Sequence, residues 1–468
     1  MIADLKPYAE YKQSGSRWLG AIPAKWEVRN LRTLISKRAE RNRVDLPLLS
    51  VAREKGVFVR SLTEAGENHN IIPDDLSNYK VARAGNLVIN KMKAWQGSMG
   101  IAPCDGIVSP AYFVFEFRIA NHAFGQRLLR SKPYVAHFGQ ASDGVRVGQW
   151  DLSIPGMRQI PVLVPPPDEQ AAIVRFLDWA NGRLERTIRA KRKVIALLNE
   201  QKQAIIHRAV TRGLDPSVPF KPSSIPWLGD IPQHWQVLPF VRCTVERADY
   251  RGATPEKVAS GIFLVTAKNI RQGWIDYECS REFVRPSEYS KIMRRGLPKA
   301  GDVLLTMEAP LGHFALVDRE DIAIAQRVVR FRLDADLLRA RFALLALNSA
   351  YFQSQLGQRA TGSTAQGIKA SKLPQLLVAC PPPIEQDGII QRLEMDVAPL
   401  DRVIARLGGE LDLLREYRTR LVADVVTGKL DVREAAARLP DEEAPPDTAE
   451  DDADLGDEPE PADEDAVA

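Results

Sequence analysis

The chain repeats itself, and this limits its possible folds more than any other feature. Near the start it reads Trp18-Leu19-Gly20-Ala21-Ile22-Pro23, then Trp26 and Val28; later it reads Trp227-Leu228-Gly229-Asp230-Ile231-Pro232, then Trp235 and Val237, every match 209 residues apart. Gly85-Asn86-Leu87-Val88-Ile89 matches Gly301-Asp302-Val303-Leu304-Leu305 at a separation of 216. So do Pro165-Pro166-Pro167-Asp168-Glu169-Gln170 and Pro381-Pro382-Pro383-Ile384-Glu385-Gln386, and the separation still holds where Val210-Thr211 and Leu214-Asp215 meet Val426-Thr427 and Leu430-Asp431. The chain is therefore two tandem copies of one module. The first parts of the copies differ by a seven-residue insertion, and the second parts are equal in length.

Each triple proline closes a β-like stretch (160–164 and 376–379), because proline cannot continue a strand, and the acidic residues just after it suit a helix N-terminus. Helical spacing then persists for about 44 residues, or about 66 Å. In the second copy Leu393, Val397, Leu400, Ile404, Leu407, Leu411, Leu414, Leu421 and Val425 recur at alternating four and three spacing, with Arg418 the one polar intrusion. The first copy keeps the seam at Leu177, Leu184, Ile188, Ile195, Leu198, Ile205 and Ala209 but admits Asn181, Lys191 and Lys202. Such stripes need partners, and pairing the two helices antiparallel would relate the copies by a pseudo-two-fold axis. The alternative is that each helix packs on its own head. Pro399 should kink or break the second helix. In the heads, strand candidates at Leu87–Asn90, 111–117, 261–266 and Val303–Thr306 alternate with Gly/Pro turns, with a helix at 336–348.

The expected class is α+β: two mixed α/β heads joined by two long helices that form an antiparallel coiled coil. The boundaries are 1–164 for the first head, 165–212 for the first helix, 213–380 for the second head, 381–432 for the second helix and 433–468 for an acidic, disordered tail.

Charge points to a polyanionic partner. The last 28 residues carry 14 Asp and Glu and no Lys or Arg, so the rest of the chain keeps all 64 basic residues and 46 of the 60 acidic ones. No signal-peptide pattern or membrane-length apolar run is present, which places the chain in the cytoplasm. Four cysteines with no CxxC pairing read as isolated thiols that are mostly buried. Nucleotide-binding glycine loops, an Asn/Asp-Pro-Pro-aromatic methyltransferase loop, HExxH and Gly-x-Ser-x-Gly are all missing. Asp168, Glu200 and Lys202 imitate a nuclease centre but lie at opposite ends of one helix. No catalytic or metal-binding residue is assigned.

Recognition chemistry remains. The first head carries Lys91, Lys93, Trp95, Gln96 and Ser98 on one short segment: lysines to seat phosphates, and an amide that could pair bidentately with adenine. Trp95 could equally be a core residue beside a solvated turn. Arg146 follows in the 143–146 stretch. The second head offers Lys268 and Asn269, then Thr361, Ser363, Thr364, Gln366 and Lys369 in a glycine-bearing loop. Plain loops have the same composition.

The Trp-Leu-Gly-x-Ile-Pro-x-x-Trp openings, the segment 87–97 with 106–112 after it, the segment 301–306 and the two PPPxEQ helix starts resemble the specificity subunit of type I restriction-modification systems, from about residue 19 to 431. The resemblance implies two target-recognition domains that grip the halves of a bipartite, asymmetric site in double-stranded DNA, with the helices as spacer. It implies methyltransferase subunits docked on those helices and a separate restriction and translocase subunit. S-adenosylmethionine, ATP and Mg²⁺ would belong to those partners and no cofactor to this chain. Helix length would then set the spacer between half-sites. The second head departs from the pattern, with Met307-Glu308-Ala309-Pro310-Leu311-Gly312 where the first has Lys91-Met92-Lys93-Ala94-Trp95-Gln96. Two other readings stay open: a coiled-coil scaffold or standalone DNA-binding protein, and an enzyme with an unrecognised active site.

Overall fold

A computed structural model describes residues 5–60, 75–144, 150–225, 227–250, 255–362 and 366–440. The first copy holds β1 (Glu27–Asn30), β2 (Ile35–Lys37), β3 (Leu87–Asn90), β4 (Met99–Ile101), β5 (Tyr112–Phe117), α1 (His122–Leu129), α2 (Lys132–Gln140), β6 (Pro161–Val164) and the long α3 (Pro167–Arg212). The second holds β7 (Gln236–Pro239), β8 (Thr244–Asp249), β9 (Val303–Thr306), β10 (Phe314–Leu316), β11 (Val328–Leu333), α4 (Ala340–Leu347), α5 (Ala350–Arg359), β12 (Leu377–Cys380), the long α6 (Pro383–Val426) and α7 (Arg433–Ala437). The central antiparallel sheets share one strand order, β2-β5-β3-β4 and β8-β11-β9-β10. The strand before each triple proline returns to the strand after each Trp motif in the same register, Val162 opposite Arg29 and Val378 opposite Leu238.

The chain divides into two compact units, residues Met1–Ile188 with Asp412–Ala468, and residues Arg189–Leu411, so each long helix contributes to both. In the first unit the end of α6 (Leu421, Val425, Val426) and residues Val432 and Ala436 lie in one core with Trp26, Phe117, Phe124 and Phe176. In the second, the end of α3 (Ile206, Ala209, Val210) shares a core with Trp235, Phe240, Phe331 and the start of α6 at Ile389 and Leu393. Each helix therefore begins in the core of its own copy and finishes in that of the other copy, where a fully buried Val or Leu contributes about 1.5–3 kcal/mol.

The polar intrusions set how the helices pair. In the first unit Arg418 donates to Glu185 at 2.9 Å. In the second, Lys191 meets Glu410 at 2.5 Å and Lys202 meets Asp401 at 2.6 Å. From the Lys191–Glu410 pair to the Lys202–Asp401 pair, residue numbers rise along α3 as they fall along α6, so the pairing inside the second unit is antiparallel. The expected break at Pro399 does not occur, since α6 runs through it. The proline removes one backbone bond, to the carbonyl of Met395, and Met395 is exposed, so water can take the donor's place.

The repeated motifs are scaffold. In the first unit Glu169, 3% exposed, accepts hydrogen bonds from Trp26 Nε1 (2.9 Å) and Tyr8 Oη (2.5 Å). Burial, then the Glu169 hydrogen bond, keeps the Tyr8 phenol protonated far above its usual range. In the second unit Glu385 accepts from Trp235 Nε1 at 3.0 Å and pairs with His234 at 2.7 Å. The neighbouring glutamines are also committed. Gln170 bonds Pro165 O and Asn121 N, and Gln386 bonds Pro381 O, Leu337 O and Arg339 N. Gly20 and Gly229 hold φ of 63° and 69°, the left-handed region that lets the Trp-Leu-Gly turn reverse.

The cysteines depart from the expectation. Cys243 and Cys380 lie together in the second core with sulfurs 3.8 Å apart, and Cys279 is exposed.

Candidate nucleic-acid interface

Both heads carry the same pair of elements at the C-terminal end of the third strand of the repeat. In the first head, the hairpin loop 91–98 between β3 and β4 contains a 3₁₀ turn, Ala94–Gln96, whose Ala94 is fully buried and anchors it. A second short hairpin, Ser142–Asp143 with Asp151–Leu152, packs beside it: Leu152 N donates to Lys91 O at 2.9 Å, Lys91 Nζ pairs with Asp151 at 2.8 Å, and Trp95 lies 5.1 Å from the Trp150 ring. In the second head, the loop 307–312 between β9 and β10 takes the first position. A ladder of Thr361 with Gly367 and Glu308 with Gly367 takes the second, and Ile368 N donates to Met307 O at 3.0 Å.

Within the first head, Lys91, Lys93, Trp95, Gln96 and Ser98 share that one loop. Lys93 is exposed, and its ammonium has no partner among the described residues. Lys91 and Gln96 are half-buried, and Ser98, 3% exposed, belongs to the base of the loop. Trp95 is half-buried and donates its Nε1 to Met92 O at 3.1 Å, which makes it a brace of the loop. Arg146 lies outside the described residues. The surroundings are electropositive: burial first, then repulsion from Arg41, Lys37 and Lys91, pulls the Lys80 ammonium below its usual value. Lys80 in turn ties the carbonyls of Pro110 and Tyr112, each at 2.6 Å, and so fixes the turn before β5.

Within the second head, Thr361, Gln366 and Lys369 are exposed on the ladder loop, and Ser363 and Thr364 lie outside the described residues. Lys268 is exposed, but Asn269 is fully buried. The Asn269 carboxamide accepts from Thr266 N (2.9 Å) and Thr266 Oγ1 (2.8 Å) and donates to Asp276 O (2.9 Å) and Ser280 O (2.8 Å), so it staples the loop 270–280 and has no donor left for a base. Lys268 lines a cleft of about 300 Å³ together with Lys257, Glu282, Ala309 and Arg327. Sequence reasoning missed Lys257 and Arg327. The 216-residue separation was the available signal for the latter, because it maps Ala111, in the turn before β5, onto Arg327.

Among the described residues there is no cluster of His, Cys, Asp and Glu that could hold a metal ion, and no helix is long and apolar enough to cross a membrane. The arrangement comprises two heads, each with two adjacent loops that carry cations, amides and hydroxyls on a rigid sheet, which is the equipment of polyanion recognition.

No protein-family profile matches the chain. It is 22% identical over 334 residues to the Type I restriction enzyme EcoKI specificity subunit of Escherichia coli (strain K12), covering 69% of this chain and 68% of that protein. To the EcoBI specificity subunit of Escherichia coli it is 24% identical over 276 residues, covering 57% and 58%. A solved chain described as the structural basis underlying complex assembly and conformational transition of the type I R-M system matches with a TM-score of 0.60 at 14% identity, covering 87% of this chain and 99% of that one. The duplicated head and helix and the paired loops thus accompany a similarity in sequence to type I restriction enzyme specificity subunits and a shared fold with the solved type I R-M chain.

Proposed function

We propose that the chain reads a bipartite, asymmetric site in double-stranded DNA, one half-site with each head, and directs adenine methylation and restriction by partner subunits. The observation that carries this is the shared scaffold with unlike loops. The same strand-end loop and neighbouring loop occur in both heads, with Lys91, Lys93 and Gln96 in one against Glu308, Gln366 and Lys369 in the other. One fold with two reading surfaces suits a site whose halves differ. Lys93, Lys268 and Lys369 seat phosphates, and Gln96 and Gln366 reach base edges.

The partners take the long helices. Val194 and Leu197 in the second unit and Leu413 and Tyr417 in the first are exposed apolar residues on those helices, and they support docking of the methyltransferase subunits there. S-adenosylmethionine, ATP and Mg²⁺ serve those partners and the restriction subunit. The chemistry of this chain is positioning. Methylation mapping of a genome that carries the chain with its modification subunits tests the reading: a single two-part motif with an unread gap is expected, and methylation scattered without a motif refutes it.

A further inference from the structure

In the second head a guanidinium is held ready and unused. Arg327 sits in the turn just before β11, at the mouth of the cleft that Lys268 also lines. Its Nε lies 3.1 Å from Glu308 Oε1, and Glu308 stands on the strand-end loop that the bridge to Gly367 fixes. The turn is fixed as well, since Met307 N donates to Arg327 O at 2.9 Å. Neither Nη nitrogen of Arg327 makes a hydrogen bond among the described residues, and the side chain is 54% exposed. The other cation of the cleft with a carboxylate partner is Lys257, paired with Glu282 at 2.9 Å, so Glu282 does not neutralise Arg327. Lys268 is exposed, and its ammonium has no partner among the described residues.

A planar guanidinium whose Nε side is ion-paired with a carboxylate leaves its two remaining nitrogens as a fork. Guanine, with O6 and N7 side by side in the major groove, is the base edge that matches such a fork with two acceptors. Lysine cannot substitute, because an ammonium is a single compact charge without a plane to orient. The corresponding turn of the first head has Ala111, so the device is particular to the second.

We infer that Arg327, oriented by Glu308, reads a guanine in the half-site bound by the second head, with Lys268 seating an adjacent phosphate. The assignment rests on the DNA-reading function proposed above. Arg327 contacts the base, and Glu308 is a positioning residue.

The test uses the full-length chain with its modification subunits, comparing methylation maps of wild type, Arg327→Ala, Glu308→Gln and Lys268→Ala, and competition binding to duplexes altered one base pair at a time. Arg327→Ala should relax one G·C position in one half of the motif, with discrimination there falling by about tenfold to a hundredfold. Glu308→Gln should weaken the same position by less. Lys268→Ala should lower affinity for every duplex alike and leave the motif unchanged. If Arg327→Ala does not fold, Arg327→Gln and Arg327→Lys carry the same comparison. An unaltered motif in a folded Arg327 variant overturns the assignment, as does a half-site with only A·T pairs on the affected side. A wild-type chain that marks no bipartite motif instead removes the DNA-reading function itself, and the two failures are therefore distinguishable.

Discussion

At Glu169 a single carboxylate oxygen, Oε1, accepts both hydrogen bonds inside the first core, so removing the carboxyl leaves the Trp26 indole and the Tyr8 phenol without their acceptor. Glu169→Ala is expected to cost about 1–3 kcal/mol in denaturant unfolding while the methylated motif stays the same. The matching change at Glu385, whose side chain keeps 29% exposure beside His234, costs less because water can repair the loss. Lys93 belongs to the opposite class, exposed and unpaired on the reading loop. Lys93→Ala should leave stability and motif intact and reduce the slope of log affinity against log salt by about 0.9, the release of one counterion. Sequence could not separate these classes: Asn269 has the composition of a base reader and proves to be a loop staple, because burial is decided by residues 276 and 280, which no local pattern ties to it.

The helices were legible as elements and illegible as partners. Spacing of four and three revealed both seams, and the strands Leu87–Asn90 and Val303–Thr306 stood out as short apolar runs between turns, each 4 residues long in the structure. What spacing hides is that Lys191 and Lys202 face carboxylates across the seam, since that depends on the register of two segments about two hundred residues apart. The pairing gives a direct check. Lys202→Glu sets two carboxylates against each other, and adding Asp401→Lys restores opposite charges. A double-mutant cycle on melting should return a coupling of about 0.5–1 kcal/mol, modest because both side chains are partly solvated. Pro399 shows the same limit from the other side, since its tolerance in α6 depends on the exposure of Met395.

Across the whole molecule, the near-equal lengths of the repeated helices, 46 and 44 residues, against the unequal heads suit the proposal of a fixed spacer joined to variable readers. Adding one heptad to both α3 and α6 extends each by about 10 Å. Methylation mapping should then show an unread gap longer by about three base pairs, with both half-sites unchanged; an unaltered gap would refute the role of the helices as spacer. The distribution of the first core along the chain also bears on synthesis. That core needs Leu421, Val425, Val426, Val432 and Ala436, while the residues that build the second unit, Arg189–Leu411, are continuous. Ribosomes deliver the N-terminus first, yet the head encoded first must wait for residues 421–436 before its interior can close. The head encoded second is complete sooner, so the order of translation and the order of maturation run opposite ways, and the nascent first head is the part most exposed to chaperones and proteases.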